Sequence, residues 1–111
     1  MAIDFYIEDE QIRLTSAYYY NSFLDWVAEQ GEYPQILDHS PIHGSYSPDR
    51  TVSPSLYSGS IFALQIELKE LLTKNPPDYA RHVIEAMLSG CKLALKKMVK
   101  ITMDDGAWDE R

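Results

Sequence analysis

The chain of 111 residues contains one cysteine, Cys91, and this scarcity excludes a class of proteins. A single thiol cannot form a disulfide within the chain, so a disulfide-stapled secreted scaffold is ruled out. No apolar run in the sequence approaches the roughly 18 residues that a membrane-spanning helix requires. The first ten residues, MAIDFYIEDE, carry four acids, whereas a signal peptide begins with basic residues. We therefore expect a cytoplasmic protein that makes no contact with membranes.

Motifs of catalysis and nucleotide binding are also missing. No serine stands in a GxSxG motif, and the chain has no GxGxxG loop, no phosphate-binding loop with its lysine, and no HExxH or CxxC pattern. Cys91 falls on the apolar face of its predicted helix, where burial disfavours the reactive thiolate. The sequence therefore predicts a protein without catalytic residues and without a cofactor.

Basic residues are scarce in the first half of the chain. The formal net charge is −7. Residues 1–57 hold nine acids and two bases, residues 58–103 hold four acids and seven bases, and residues 104–111 hold four acids and one base. An acidic first half repels phosphate backbones and attracts cationic surfaces. This asymmetry disfavours direct nucleic-acid binding and favours a basic protein partner, with solubility alone as the simpler explanation of the acidity.

Tyrosine, in contrast, is abundant, with eight residues against three phenylalanines. A tyrosine combines an apolar ring with a polar tip and loses little entropy when it is fixed, so it is enriched at interfaces. Several tyrosines stand among acids in or before the irregular segment 32–59. The predicted partner-binding residues are Tyr18, Glu32, Tyr33, Asp38, Tyr46, Asp49 and Tyr57. The alternative is that the tyrosines of this segment fold onto the core and anchor it.

Two histidines, His39 and His43, stand four residues apart in a segment that also holds Asp38 and Asp49. Imidazole and carboxylate groups are common metal ligands. A spacing of four brings two ligands to one ion mainly on a helix, however, and the proline between these histidines argues against a helix. His39 and His43 are therefore weak metal candidates. An enzyme that uses them, with His82 in a catalytic pairing, is an alternative function.

Periodicity predicts two elements in the first thirty residues. Apolar residues alternate over residues 2–7, which is typical of a half-buried strand. That strand needs a partner elsewhere, because a lone strand is not stable. A helix is expected from a Thr15 or Ser16 cap to about Gln30, with Gly31 supplying the left-handed residue that follows it.

Two further helices are predicted in the second half. Residues 60–74 fit both the helix and the strand period, but the stretch ELKELLTK favours a helix capped by Ser60 over a strand at 61–67. The widest apolar arc runs over residues 78–99. It predicts a helix deep in the core, with Asn75 as its cap and two prolines in its first turn.

The remaining segments complete the predicted fold. Residues 32–59 predict a structured loop, with a short turn of helix, packed over the core. Residues 101–103 either continue the last helix or form a short strand, and residues 104–111 are expected to fray as an acidic tail. The prediction is one small α+β domain over residues 1–111, predominantly helical, with a short N-terminal strand, a long central loop and a buried C-terminal helix. An all-α bundle is the alternative.

These features lead to three functional hypotheses. The leading one is a non-enzymatic inhibitor whose acidic, tyrosine-bearing surface docks onto a basic partner, as an immunity protein neutralises a nuclease toxin. The second is a small hydrolase or metal-dependent enzyme built on the histidine segment. The third is a homo-oligomer subunit that associates through Leu93, Phe62 and Ile66, which lie outside the main apolar faces. The basic stripe is expected to be a solvated helix face answered by the chain's own acids; it comprises Lys92, Lys96, Lys97 and Lys100.

Overall fold

The computed structural model describes residues 2–39, 44–50 and 52–104, which form four helices and one five-stranded sheet. Helices make up about 51% of the described residues, and strands make up about 26%. None of the helices in these ranges combines the length and the apolar composition needed to cross a bilayer. The elements in chain order are β1 (Ala2–Ile7), β2 (Glu10–Ser16), α1 (Ala17–Gln30), α2 (Pro34–Leu37), β3 (Gly44–Ser47), β4 (Ser58–Ser60), α3 (Ile61–Leu72), α4 (Asp78–Lys97) and β5 (Ile101–Asp104).

The sheet has the strand order β2-β1-β5-β3-β4 and is mixed. β3 and β4 run parallel, and the other neighbouring strands are antiparallel. The predicted predominantly helical fold is therefore wrong, and so is the alternative of an all-α bundle. One cause is the shortness of β3, β4 and β5, which span only three or four residues each, and β2 was missed as well. Alternation over so few positions gives no distinctive sequence signal.

The strand predicted at residues 2–7 is confirmed as β1, and it lies between β2 and β5. β1 and β2 form a hairpin whose turn places Glu8 at a positive φ of 55°. Strand β2 was not predicted, although Ile12 and Leu14 alternate with polar neighbours in EQIRLTS. The first partner of β1 is therefore β2, the strand that follows it in the sequence.

Ion pairs tie the hairpin to itself and to α4. The carboxylate of Asp4 is fully buried and pairs with Arg13 at 3.1 Å between Oδ1 and Nε. Lys97 Nζ lies 3.5 Å from a carboxylate oxygen of Glu8 and 3.9 Å from one of Glu10. The prediction that the chain's own acids answer the lysine stripe is thus confirmed for Lys97.

The three long helices lie where the periodicity placed them. The Ser16 hydroxyl accepts a hydrogen bond from the Tyr19 N–H and caps α1, and Ser60 caps α3 in the same way. The alternative strand at residues 61–67 is wrong.

Two details of the helix ends also differ from the prediction. Gly31 has a positive φ of 141°, but its ψ of −149° is not left-handed helical, and α4 begins after Pro77 without a side-chain cap.

The deep burial predicted for the last helix is confirmed on one face of α4. That face packs on the sheet, and Gly90 allows the close approach because an added Cβ would lie 2.7 Å from the Phe5 ring. The buried residues of α4 are Ala80, Val83, Ile84, Met87, Gly90, Cys91 and Ala94. Residues Ile101–Asp104 form β5, the central strand of the sheet. Most of the predicted frayed tail lies outside the described residues.

The segment 32–59 is not the single loop that was predicted. Its expected turn of helix is α2, but β3 and β4 also arise from it. Gln35, which is 3% exposed, ties these pieces together. Its backbone oxygen accepts a hydrogen bond of 2.7 Å from the Tyr46 hydroxyl of β3, and its side-chain oxygen accepts one of 2.9 Å from the Ser60 N–H at the end of β4.

The packing around Gln35 leads to a prediction for Gly59. A Cβ at this position would lie 2.5 Å from Gln35 Oε1 and 2.9 Å from a Tyr46 ring carbon. We expect Gly59→Ala to lower the free energy of unfolding by about 1–3 kcal/mol, because a close-packed core must shift to admit the methyl group. Urea denaturation measures the change. Ser58→Ala on the same strand, which removes only an exposed hydroxyl contact, should stay within about 0.5 kcal/mol of the wild type.

Candidate functional site

A pocket of about 380 Å³ opens between the end of α1 and the short helix α2. Among the residues predicted to bind a partner, Glu32, Tyr33 and Asp38 come together here. We call this site the α2 pocket, and its lining residues are Gly31, Glu32, Tyr33, Pro34, Leu37 and Asp38.

Local sequence explains how the α2 pocket forms. Gly31 takes a positive φ that turns the chain sharply away from α1. Pro34 then occupies the first position of α2, where a missing N–H costs nothing. Tyr33 is only 4% exposed, and its hydroxyl donates a hydrogen bond of 3.3 Å to Glu70 of α3. The Tyr33 ring is therefore a fixed wall, with its polar tip directed to an acid.

The carboxylate of Glu67, on α3, holds α2 in place. Its two oxygens accept hydrogen bonds from the Gln35 N–H at 3.0 Å and the Ile36 N–H at 3.3 Å. Burial raises the pKa of Glu67 to about 7, opposed by these two N–H groups and aided by the charges of Asp38 and Glu70. Near neutral pH, Glu67 is thus divided between its protonated and its ionised form.

The α2 pocket has a strongly negative environment. Glu32 and Asp38 are exposed at its lining, and Glu67 and Glu70 stand on the adjoining face of α3. In the sequence, no lysine or arginine occurs between Arg13 and Arg50. A cation that enters the pocket would meet the carboxylates of Glu32 and Asp38, which is a favourable setting for a lysine or arginine side chain.

The other predicted partner-binding residues do not join this pocket. Tyr46 is fully buried, so its ring anchors the segment as the alternative interpretation supposed. Tyr18 is 74% exposed at the opposite end of α1, roughly 18 Å away along the helix axis. Tyr57 is 57% exposed beside β4, and Asp49 is exposed and accepts a hydrogen bond from the Ser47 hydroxyl. The predicted single surface is therefore divided into separate regions.

The two histidines that the structure describes, His39 and His82, lie in different environments. His39 is 5% exposed and stacks on the Tyr46 ring at 4.1 Å between centroids. His43 lies outside the described residues. Within the ranges that the structure describes, no group of three or more His, Cys, Asp or Glu residues is arranged to hold a metal ion. His82 is exposed on α4.

The imidazole of His39 is in an unusual environment. Neither of its ring nitrogens has a hydrogen-bond partner among the described residues. Burial lowers the pKa of His39, and the nearby backbone of Ser55 opposes this shift without a hydrogen bond of good geometry. Burial disfavours the charged form of an imidazole, so protonation in acid should disturb this part of the molecule.

The remaining candidates occupy ordinary structural positions. Burial raises the pKa of the Cys91 thiol to about 12, which leaves it unreactive as a nucleophile at neutral pH. Of the three residues proposed for self-association, Leu93 packs partly against the core. The guanidinium of Arg50 covers the Phe62 ring at 4.3 Å, whereas Ile66 is 67% exposed. The self-association hypothesis stays a prediction.

Sequence reasoning missed three contributors to the α2 pocket region. Gln35 looked like an ordinary loop residue, because its role depends on strands that were not predicted. Glu67 and Glu70 are three apart on the predicted helix α3, which places them on one face. That spacing was a usable signal, but nothing in the sequence indicated that this face would meet α2.

No protein-family model, curated protein or solved structure matches this chain. Function is therefore inferred from the geometry and charge of the described residues.

The raised pKa of Glu67 leads to a prediction about stability and pH. As pH rises from about 4.5 to about 7, the unfolded chain releases the Glu67 proton before the folded chain does, so this group removes stability over that window. Glu67→Gln abolishes the effect. We expect the unfolding free energy of Glu67→Gln, relative to wild type, to increase between about pH 5 and about pH 8 in urea denaturation. Glu85→Gln, on the exposed face of α4, is the control, and parallel curves for all three proteins would contradict the assignment.

The lowered pKa of His39 leads to a second prediction, in which the wild type loses stability as pH falls. Because its pKa is below the ordinary 6.5, the unfolded chain takes up a proton first as pH falls, and the folded chain loses stability below that pH. His39→Phe keeps a flat ring against Tyr46 and removes the titration. We expect its unfolding free energy, relative to wild type, to rise as pH is lowered from about 7 to about 5. The same exchange at exposed His82 should not reproduce this rise; a His39→Phe difference independent of pH would refute the interpretation.

Proposed function

We propose that the protein is a non-enzymatic inhibitor that binds a basic segment of a protein partner in the α2 pocket. The supporting observation is the convergence of Glu32, Tyr33 and Asp38 on one pocket beside Glu67 and Glu70. Glu32, Asp38 and Glu70 are solvent-exposed. Glu67 and Glu70 are also held by hydrogen bonds, Glu67 to α2 and Glu70 to Tyr33. The site therefore offers both freely accessible charge and preorganised charge to a cation.

The proposed contact uses each group in a definite way. A lysine or arginine would lay its apolar stem against Tyr33 and Leu37 and bring its charge to Asp38 and Glu32. The same charge would favour the ionised form of Glu67, so its pKa would fall and binding would release a proton near neutral pH. This coupling makes the pocket more receptive to a cation than to a neutral side chain.

The biological role that suits this contact is neutralisation of a cationic protein in the cytoplasm. A nuclease presents basic residues where it receives phosphates, and an acidic inhibitor can occupy that surface by supplying the negative charge itself. An immunity protein that protects its own cell from a nuclease toxin is such an inhibitor. The single buried cysteine is compatible with a reducing compartment.

Charge reversal tests the proposed function. Glu32→Lys/Asp38→Lys should abolish capture of a basic protein from source-cell extract by the immobilised chain, and should weaken its binding about tenfold or more in calorimetry once that protein is purified. Asp9→Lys/Glu85→Lys is the control, because both positions are exposed and the net charge changes equally.

The two outcomes are distinct. A basic partner retained by the wild type and the control but not by the pocket variant supports the proposal. A partner that is acidic, or that the pocket variant binds as tightly as the wild type does, contradicts it.

A further inference from the structure

Three tyrosines form an aromatic cluster on the surface where α1 and α4 begin. Tyr18 and Tyr19 pack edge to face with ring centroids 5.4 Å apart, and Tyr19 lies 6.0 Å from Tyr79 of α4. Tyr18 is 74% exposed and Tyr19 is 49% exposed. Neighbouring rings restrain one another, so this cluster presents ordered aromatic faces to solvent at little entropic cost. Neither the core nor the α2 pocket accounts for its exposure.

An acidic stripe continues from the aromatic cluster along the outer face of α1. Residues seven and eleven positions after Tyr18 share its side of the helix, and these are Asp25 and Glu29. Both are exposed, and Ser22 lies between them and the cluster. By helix rise, Asp25 and Glu29 stand about 10 Å and about 16 Å from Tyr18 along the axis.

The charge on this face runs against the helix dipole. The C-terminal end of a helix carries partial negative charge and is normally answered by a basic residue. The last turn of α1 has no basic residue, and it contains Glu29 instead. Glu32 follows immediately after the helix. This local arrangement costs stability within the chain, and a cationic partner would relieve it.

We propose that the outer face of α1, from the aromatic cluster to Glu29, is a second contact surface that receives an arginine-bearing segment of the basic protein partner. One arginine stacks on the Tyr18 and Tyr19 rings, and further cations pair with Asp25 and Glu29. This inference rests on the proposed function, since the partner is the same basic protein, and Glu32 of the α2 pocket follows the last residue of α1 by two positions.

The chemistry favours arginine over the other possible occupants. A guanidinium stacks flat on aromatic faces and is more weakly hydrated than an ammonium, so it gains more from the tyrosines than lysine does. A nucleic acid would place phosphates against Asp25 and Glu29, which is repulsive. A second copy of this acidic chain has a net charge of −7 and would be repelled overall, which disfavours self-association through this stripe.

Fluorescence anisotropy with labelled nona-arginine and nona-lysine peptides tests the proposal on the full chain. Tyr18→Ala should raise the Kd for nona-arginine about two- to fivefold, with a smaller change for nona-lysine. Tyr18→Phe retains the ring and should bind as the wild type does. Asp25→Asn/Glu29→Gln should weaken binding about fivefold at low salt, and the difference should fade as salt increases.

The matched control is Asp9→Asn/Glu85→Gln, which removes the same charge from exposed positions elsewhere. A loss equal to the control's for both α1 variants would overturn the proposal, because it would show only the general attraction of an acidic protein. Light scattering provides a further check. A wild-type oligomer that Tyr18→Ala dissociates would also overturn it, since the face would then be a contact between copies.

Failure of this inference can be told apart from failure of the proposed function. If Glu32→Lys/Asp38→Lys abolishes binding of the captured basic partner while the α1 variants leave it unchanged, the proposed role of the α2 pocket is supported. The proposed α1 contact surface is then refuted. If the α1 variants weaken partner binding and the pocket variant does not, the proposed α1 contact surface is supported. The proposed role of the α2 pocket is then refuted.

Discussion

The buried amide of Gln35 is the point at which the second half of the fold is joined. Its side-chain oxygen accepts the Ser60 N–H, and its backbone oxygen accepts the Tyr46 hydroxyl. Its own N–H is held by Glu67 of α3. Through one residue, α2 is therefore fixed to β3, β4 and α3. Buried polar groups of this kind must all be satisfied together, so the position of α2, and with it the wall of the α2 pocket, follows from the completion of this network.

Glu67 connects that structural network to the electrostatics of the surface. Its hydrogen bonds to the Gln35 and Ile36 N–H groups favour the ionised form, whereas burial and the neighbouring charges of Asp38 and Glu70 disfavour it more strongly. The result is a carboxyl whose charge the folded chain tolerates poorly near neutral pH. Such a group costs stability in the isolated protein and is stabilised when an external cation arrives. The side chain that holds α2 in place is therefore also the one whose charged form a positive ligand would stabilise.

The sequence predicted those parts of the fold whose physical cause is local. The α1 and α3 helices were found because Ser16 and Ser60 cap them and their apolar spacing is regular, and β1 was found by alternation. The strands β3 and β4 were missed because GSYS and SGS contain only one large apolar residue, Tyr46, and pair by contacts that are remote in sequence. The site divides in the same way. Glu32, Tyr33 and Asp38 are close in the chain and were predicted, whereas Glu67 reaches them only through tertiary packing.

The two acidic regions meet in the sequence at the end of α1. Glu29 closes the helix on its outer face, Gly31 turns the chain, and Glu32 then stands at the rim of the α2 pocket. If acidity served solubility alone, no reason would exist to place Glu29 at the negative end of the helix dipole, where it opposes folding. Nor would solubility require an exposed aromatic cluster at the other end of the same face. A surface that keeps acids at the negative end of a helix dipole, and exposes rings at the other end, has the features that the proposed cationic partner would use.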